Sequence, residues 1–169
     1  LAEDFKKLGV KSVSLVGGGE PMIHPAIYDL IHWFHENNIL ISITTNGSNF
    51  RDSEIDTIVR ASTSIRVSLN AASVETHNII NAPKTSQFEI IINNIEKLRI
   101  HRDKIGANML IGIKNASLDK NIHEIEEMVA LGERLKVDYI MFAAVVGESA
   151  TARQILNTAT EKIEELKKK

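Results

Sequence analysis

The residues best suited to chemistry lie in one short segment, Gly17-Gly18-Gly19-Glu20-Pro21. Three consecutive glycines remove side-chain bulk, so the backbone can approach a ligand closely and adopt conformations that other residues avoid. Glu20 adds a carboxylate beside this bare backbone, and Pro21 stiffens the chain that follows. A carboxylate with free carbonyls suits an ammonium group, whereas a phosphate would be repelled and its usual Gly-x-x-x-x-Gly-Lys-Ser/Thr loop is missing. A turn whose glycines serve only backbone geometry is the alternative.

The sequence gives less support to sites built on cysteine, histidine or serine. The chain contains no cysteine, which excludes disulfides, thiolate catalysis and a thiolate-held iron–sulfur cluster within these residues. His32 and His35 lie three residues apart on a predicted helix, but no third ligand of matching geometry can be placed beside them. We therefore predict surface or capping roles rather than metal binding for the histidines, which are His24, His32, His35, His77, His101 and His123. No Gly-x-Ser-x-Gly segment suggests a serine nucleophile.

Length and composition indicate one folded domain. The chain has 169 residues, of which 43% are hydrophobic and 25% charged, as in soluble globular proteins. Its formal charge of -2 offers no basic footprint for nucleic acid or an anionic membrane surface. No apolar run approaches the roughly 18 residues of a transmembrane helix, and no secretory signal opens the chain. We predict a cytoplasmic protein without nucleic-acid or membrane partners.

Short apolar segments alternate with longer segments of helical spacing. The strand-like segments are Ser12–Val16, Ile39–Thr45, Ser64–Asn70, Ala107–Ile113 and Val137–Ala143. Helical spacing marks the regions around Ile27–Phe34, Ile55–Val59, Phe88–Leu98 and Ile122–Leu135, with a last, charged helix over Thr151–Lys168. Ser86 and Glu89 form the pattern of a capping box. Because a helix follows each strand, the connections are crossovers and the strands are predicted to be parallel. Without a Rossmann fingerprint, this pattern favours all or part of a (β/α) barrel.

Residue parity assigns opposite characters to the two faces of the strands. Ile65 and Val67 share one face of the third strand, while Arg66 and Ser68 share the other. The first and second strands likewise place serine and threonine on one face. A solvated face of an antiparallel or one-layered sheet would explain this pattern, but the helical connections argue against it. We favour a wide barrel interior that holds a polar ligand at the carboxyl ends of the strands.

Four motifs in sequence order resemble the strand-end motifs of radical S-adenosylmethionine enzymes. They are Gly17–Pro21, Thr44–Gly47, Arg66–Asn70 and Val137–Phe142, and the segment Ser68–Asn78 resembles the one that follows the family's fourth strand. The resemblance covers residues 10 to 146 and implies a radical S-adenosylmethionine core domain spanning residues 1–169, with residues 151–169 as a C-terminal helix. The implied fold is α/β, a partial (β/α) TIM-type barrel of parallel strands truncated at the N-terminus, without the first strand and its cluster loop.

The resemblance also implies a set of cofactor contacts. Gly18, Gly19 and Glu20 would hold the methionine ammonium of S-adenosylmethionine, and Ser68 and Asn70 would face the ribose or the methionine carboxylate. The edge of the strand at Ile140–Phe142 and the strand holding Leu110–Gly112 would border the adenine, largely through backbone groups and apolar packing. The implied cofactor-binding residues are Gly18, Gly19, Glu20, Pro21, Thr44, Asn46, Ser68, Asn70, Leu110, Ile140 and Phe142, and no residue is implied to be catalytic or to bind metal. For Arg66, binding of a carboxylate and an internal ion pair both stay open.

The family's chemistry requires a 4Fe–4S cluster held by three cysteines in a Cys-x3-Cys-x2-Cys loop, which this chain lacks. In the family, reductive cleavage of S-adenosylmethionine at that cluster yields a 5′-deoxyadenosyl radical. We therefore expect the cluster in a parent enzyme only and expect this chain alone to be inactive. A missing strand would expose an unpaired sheet edge. The expected partners are the missing N-terminal part of the same protein, or a second copy in a homo-oligomer or strand-swapped dimer.

Two other functions stay open at this point. One is an ordinary (β/α)-barrel enzyme that acts on a small anionic metabolite, with the glycine-rich loop as its phosphate site. The other is a degenerate binding domain that binds S-adenosylmethionine or a partner without radical chemistry. The substrate and the reaction subclass cannot be read from these residues.

Overall fold

A computed structural model describes residues 2–82 and 86–144, together with residues 157, 160, 161 and 164. Its centre is one sheet of five parallel strands that lie side by side in chain order. The strands are β1 (Ser12–Leu15), β2 (Leu40–Thr45), β3 (Ser62–Ser68), β4 (Leu110–Ser117) and β5 (Tyr139–Ala144). Sequential order is that of a barrel, since a doubly wound sheet reverses its strand order at a switch point. The described strands form an open part of a barrel, as the sequence predicts.

Helices make the crossovers between the strands. The crossover helices are α2 (Ile27–Glu36), α3 (Ile55–Ala61), α4 (Val74–Asn81), α5 (Phe88–Ile105) and α6 (Ile125–Leu135), and a further helix, α1 (Ala2–Lys7), precedes β1. Single 3₁₀ turns at Pro21–Ile23, Asp52–Glu54 and Ile122–Glu124 lie in the loops after β1, β2 and β4. No helix of the described residues is long and apolar enough to cross a membrane.

The hydrophobic core lies between the sheet and the helices. Ile41, Ile43, Ile65 and Ile113 point from the strands into this layer and are at most 1% exposed. Phe34 of α2 packs there with the apolar faces of α3, α5 and α6. The opposite, inner face of the sheet carries the polar residues, among them a hydroxyl pair of Ser14 and Ser42 at 2.8 Å. The parity prediction is therefore confirmed: helices cover the apolar face, and the polar face lines the concave side.

The structure corrects two local predictions. The fourth strand begins at Leu110 rather than at residue 107, because Gly106 ends α5 in the left-handed conformation and the next residues lead from the helix into the sheet. It continues to Ser117, and Asn115 and Ser117 are buried on the face that the helices cover although their side chains are polar. The predicted capping box at Ser86 is wrong: Gln87 is the N-cap of α5, and no side chain caps it.

The predicted last helix, over residues 151–168, lies outside the described residues except for four positions, Asn157, Thr160, Glu161 and Glu164, all of which are helical. In the described sheet β1 pairs with β2 alone, so its other edge carries no described partner strand. An oligomer or a swapped strand at this edge stays a prediction.

Candidate functional site

An open groove of about 350 Å³ lies at the carboxyl ends of the first three strands. Its walls are the loop 16–20 after β1, the segment 44–46 at the end of β2, and Ser68 at the end of β3. In parallel α/β folds the carboxyl ends of the strands carry the ligand site, because the loops that leave them converge there. The groove therefore occupies the position that the sequence predicts for a functional site.

The Glu20 side chain links the loop after β1 to the segment at the end of β2. Its Oε1 accepts hydrogen bonds from the Thr45 hydroxyl at 2.5 Å and from the Met22 amide at 3.0 Å, and its Oε2 accepts one from the Asn46 amide at 2.6 Å. The Met22 bond makes Glu20 the N-cap of the 3₁₀ turn that begins at Pro21. Glu20 therefore fixes the two loops of the groove to each other.

The Glu20 carboxylate retains capacity for one more partner. A carboxylate has about four lone-pair positions, and Glu20 uses three of them, two on Oε1 and one on Oε2. No lysine, arginine or histidine of the described residues forms an ion pair with it. The groove thus contains an uncompensated negative charge with a free acceptor position, which fits a cationic ligand group.

Gly17, Gly18 and Gly19 are exposed, and a Cβ added at any of them would meet no atom within 4 Å. None of the three has a positive φ, so the predicted need for unusual backbone conformations is wrong here. Their amides and carbonyls make no described backbone hydrogen bond. The protein's own packing therefore does not require these glycines, and the space beside them is open to a ligand.

Position 47, unlike positions 17 to 19, requires glycine for both its backbone conformation and its packing. Its φ is +78°, and an added Cβ would lie 2.7 Å from Cγ1 of Val67. Its carbonyl accepts a hydrogen bond at 2.8 Å from Nδ2 of Asn94, a buried residue of α5, and its amide donates to the Thr45 hydroxyl at 3.1 Å. The loop after β2, to which Glu20 is bonded, is thereby held against the core.

Thr44 and Asn46 both line the groove, and the described hydrogen bonds of their side chains use the oxygen atom of each as an acceptor. The Thr44 hydroxyl accepts from Nη2 of Arg66 at 3.2 Å. The Asn46 side-chain oxygen accepts from the amide and the hydroxyl of Ser48, both at 2.8 Å. The backbone of Asn46, rather than its side chain, therefore contacts Glu20.

Ser68 and Asn70 separate in the structure. Ser68, the last residue of β3, lines the groove together with Glu20. Asn70 turns toward β4, where its Oδ1 accepts from the Ala116 amide at 2.8 Å and its carbonyl accepts from Nδ2 of Asn121 at 2.7 Å. Asn70 therefore joins the ends of β3 and β4, and the structure does not bring it into the groove.

Of the residues predicted to border an adenine, Leu110 lies at the opposite end of the sheet, whereas Ile140 and Phe142 flank Met141, which is level with Lys114 and Ser68. Leu110 is the first residue of β4, four positions before Lys114, which pairs with Ser68. At about 3.3 Å per residue it lies roughly 13 Å from the site end of the sheet. Ile140 faces α6, where its Cδ1 packs against Gly132, and Phe142 is partly buried against the core. The side chains of Ile140 and Phe142 point to the helical layer. A role for β5 at the site would therefore use its backbone.

No group of three or more potential metal ligands occurs among the described residues. His101 pairs with Asp56 at 2.8 Å, and Nδ1 of His24 accepts from the Ala26 amide at 3.2 Å, as predicted for surface and capping residues. The prediction is wrong for His77, which is 4% exposed and packs edge-on against Phe88. Burial lowers the pKa of His77, so its neutral form is favoured.

Sequence reasoning assigned no role to four buried residues whose hydrogen bonds hold the loops at the carboxyl ends of the strands. They are Thr45, Asn94, Asn121 and Glu124, all at most 7% exposed. Asn94 gives a signal in the sequence as a polar residue within the apolar face of α5, and Thr45 gives one through its strand parity, which it shares with Ile43. The other two lie in a loop, where polar residues are common and do not indicate burial.

Glu124 ties the loop after β3 to the loop after β4. Its Oε1 accepts from the Ser73 hydroxyl at 2.5 Å, and its Oε2 accepts from the Ala72 amide at 2.9 Å. Burial alone would raise the pKa of Glu124, but the hydrogen bonds from Ser73, Ala72 and Thr76 outweigh it and hold the pKa below the ordinary value of 4.5.

The lowered pKa of Glu124 predicts that the free energy of unfolding falls in acid. Because its folded-state pKa lies below the unfolded value, its contribution is complete above about pH 4.5 and declines as the pH falls through the lowered pKa. We expect Glu124→Gln to reduce the free energy of unfolding at pH 7 and to flatten its decline below pH 4.5, as measured by urea unfolding across pH. An acid decline that is as steep in Glu124→Gln as in the wild type contradicts this assignment.

The open parallel sheet with its site at the strand ends defines an incomplete (β/α) barrel. The family model of the Radical SAM superfamily matches residues 1–132, and the chain belongs to that superfamily. An S-adenosyl-L-methionine-dependent tRNA 4-demethylwyosine synthase of Pyrococcus horikoshii is 34% identical over 83 residues, which are 48% of this chain and 24% of that protein. The corresponding enzyme of Pyrococcus abyssi is 32% identical over 91 residues, 53% of this chain and 27% of that protein.

Solved structures of radical S-adenosylmethionine proteins share the fold. The archaeal TYW1 structure has a TM-score of 0.63 at 22% identity, covering 89% of this chain and 50% of that one. Streptococcus suis SuiB bound to S-adenosylmethionine has a TM-score of 0.69 at 19% identity, covering 98% of this chain and 40% of that one. The chain thus spans about a quarter of the curated relatives that it matches and half or less of these two structures.

Proposed function

We propose that the groove binds the amino-acid part of S-adenosylmethionine, within an enzyme that cleaves this molecule reductively to a 5′-deoxyadenosyl radical. The observation that carries the proposal is the Glu20 carboxylate, which has a free acceptor position and no described cationic partner, beside three glycines with unpaired backbone groups. Membership of the Radical SAM superfamily supports the choice of ligand.

Each residue of the groove has a distinct role in this proposal. Glu20 accepts a hydrogen bond from the ammonium group, and the carbonyls of Gly18 and Gly19 take further N–H groups of the same cation. Ser68, on the opposite wall, donates its hydroxyl to the ribose or the methionine carboxylate. Leu110 and Asn70 take no part, because the first lies at the other end of β4 and the second is bonded to β4.

The iron–sulfur cluster does not fit residues of this chain. The 169 residues contain no cysteine, and the described residues offer no group of three or more alternative ligands. In this proposal a cluster of the kind that the family uses takes its ligands from residues other than these 169, and this chain by itself binds S-adenosylmethionine without cleaving it. A cytoplasmic location is part of the same proposal.

The alternative of a phosphate site in the glycine-rich loop conflicts with Glu20. The carboxylate lies in the same groove as the free glycine amides, so a phosphate there would face a like charge at short range. A degenerate domain that only binds S-adenosylmethionine would have the same groove, and it differs from an enzyme only in the absence of cluster ligands elsewhere in the protein.

Isothermal titration tests the binding proposal directly. We expect saturable binding of S-adenosylmethionine to the wild-type chain and about tenfold weaker binding to Gly18→Ala, because the new methyl group enters the space of the ligand. Urea unfolding of Gly18→Ala should match the wild type, since the methyl group meets no protein atom within 4 Å. Saturable binding of inorganic phosphate in the groove, with no binding of S-adenosylmethionine, contradicts the proposal.

A further inference from the structure

Two cations on the inner face of the sheet have no counter-charge among the described residues. Arg66 lies on β3 and Lys114 on β4, and the register pairs Arg66 with Gly112 and Ser68 with Lys114. They therefore occupy the same concave face, one pleat apart on neighbouring strands, within the reach of long side chains. Neither has an ion pair with any described residue.

The hydrogen bonds of Arg66 are largely unmade. A guanidinium has five N–H donors, and in the described structure that of Arg66 makes one bond, from Nη2 to the Thr44 hydroxyl at 3.2 Å. Its Nε is buried and has no partner. A buried donor without an acceptor is unfavourable, and an anion that draws the guanidinium away from Thr44 would satisfy it with a bidentate contact.

A tyrosine ring lies over Gly112, which pairs with Arg66 and precedes Lys114 by two residues on β4. Tyr139 of β5 pairs with Gly112, and a Cβ added to Gly112 would lie 2.1 Å from Cζ of the Tyr139 ring. The ring therefore occupies the space that any side chain at position 112 would fill, and carries its hydroxyl over β4 toward β3. No described residue hydrogen-bonds this hydroxyl. The inner face thus presents three donor groups beside the groove.

From this arrangement we propose that Arg66, Lys114 and Tyr139 form an anion site that binds a carboxylate or phosphate group of the substrate. The site adjoins the groove through Thr44 and Ser68, which lie at the same levels of the sheet as Arg66 and Lys114. Its role in holding a substrate rests on the proposed function, whereas its affinity for an anion does not. The substrate is thereby an anionic molecule that lies in the barrel interior beside the proposed S-adenosylmethionine site.

The chemistry of the site is tested with simple probes at constant ionic strength. We expect isothermal titration to show saturable binding of pyrophosphate or of malonate, and the tighter probe distinguishes a phosphate from a carboxylate substrate. Arg66→Gln and Lys114→Gln should each weaken that binding about tenfold, and Tyr139→Phe about threefold. Lys104→Gln removes an exposed cation at the end of α5 and should leave binding unchanged.

The controls separate this site from the groove. Glu20→Gln should retain anion binding while it loses affinity for S-adenosylmethionine, so failure of one proposal does not imply failure of the other. The absence of saturable binding of both probes overturns the anion site. It is also overturned if Lys104→Gln weakens binding as much as the two inner variants, which would indicate nonspecific charge attraction. If Arg66→Gln weakens the binding of S-adenosylmethionine but not the binding of the anions, Arg66 would instead be assigned to the carboxylate of the cofactor.

Discussion

Glu20→Gln should weaken the binding of S-adenosylmethionine about 10- to 100-fold, because a hydrogen bond to a charged group contributes about 1.5–3 kcal/mol. The substitution removes the negative charge that faces the proposed ammonium group. It also places an amide nitrogen where the carboxylate accepts three hydrogen bonds, so at least one of the Thr45, Met22 and Asn46 donors loses its acceptor. Isothermal titration of the variant and the wild type with S-adenosylmethionine measures the effect.

Thr45→Val is the matched control, because it disturbs the same loops but retains the Glu20 charge. The Thr45 side chain is 2% exposed, and its hydroxyl donates to Glu20 and accepts from the Gly47 amide. Loss of this buried hydroxyl should lower the free energy of unfolding by about 1–3 kcal/mol. Its effect on cofactor binding should be several-fold smaller than that of Glu20→Gln. Equal losses in the two variants would mean that Glu20 only positions the loops.

Gly47→Ala should lower the free energy of unfolding by about 2–5 kcal/mol, the sum of about 1–2 for a left-handed alanine and about 1–3 for overpacking. The φ of +78° disfavours any residue with a Cβ, and that Cβ would lie 2.7 Å from Cγ1 of Val67 and 3.2 Å from Cγ2 of Ile91. Urea unfolding with linear extrapolation measures the difference. A loss of this size is a large part of the stability of an ordinary domain.

Gly19→Ala provides the contrast on the other wall of the groove. Its φ is not positive and no protein atom lies within 4 Å of the added methyl group, so its unfolding free energy should stay within about 0.5 kcal/mol of the wild type. Gly47→Ala that unfolds like the wild type would show that the loop after β2 relaxes freely, and the loop could then not hold Glu20 in place.

The alternation of residue types along the strands was sufficient to predict both faces of the sheet. Ile65 and Val67 are completely buried against the helices, while Arg66 and Ser68 lie on the inner face, as their parity indicates. Side chains of a strand alternate strictly, so this prediction needs only the strand itself. The prediction of the faces does not depend on the positions of the strand ends, which the structure moved for β3 and β4.

The end of β4 illustrates what a single sequence does not contain. Asn115 and Ser117 resemble loop residues, yet both are buried within the strand. Nδ2 of Asn115 donates to the Leu69 carbonyl at 3.3 Å, a bond to a residue 46 positions away. Because the partner lies just after β3 and far away in the sequence, no local pattern predicts that a polar side chain is accepted there. The predicted strand accordingly ended at Ile113, whereas the observed strand begins at Leu110 and ends at Ser117.

The sequence by itself determined the class of fold, the polar inner face and the segment Gly17–Pro21 as the centre of the site, because periodicity and residue chemistry are local properties. Only the tertiary structure decided which side chains meet. It joined Glu20 to Thr45 and Asn46, 25 and 26 residues away, moved Asn70 out of the groove, and placed Arg66 and Lys114 on one face with no ion-pair partner in the described part of the chain. Hydrogen bonds and charge pairs depend on distances across strands, and these distances exist only after the sheet has formed.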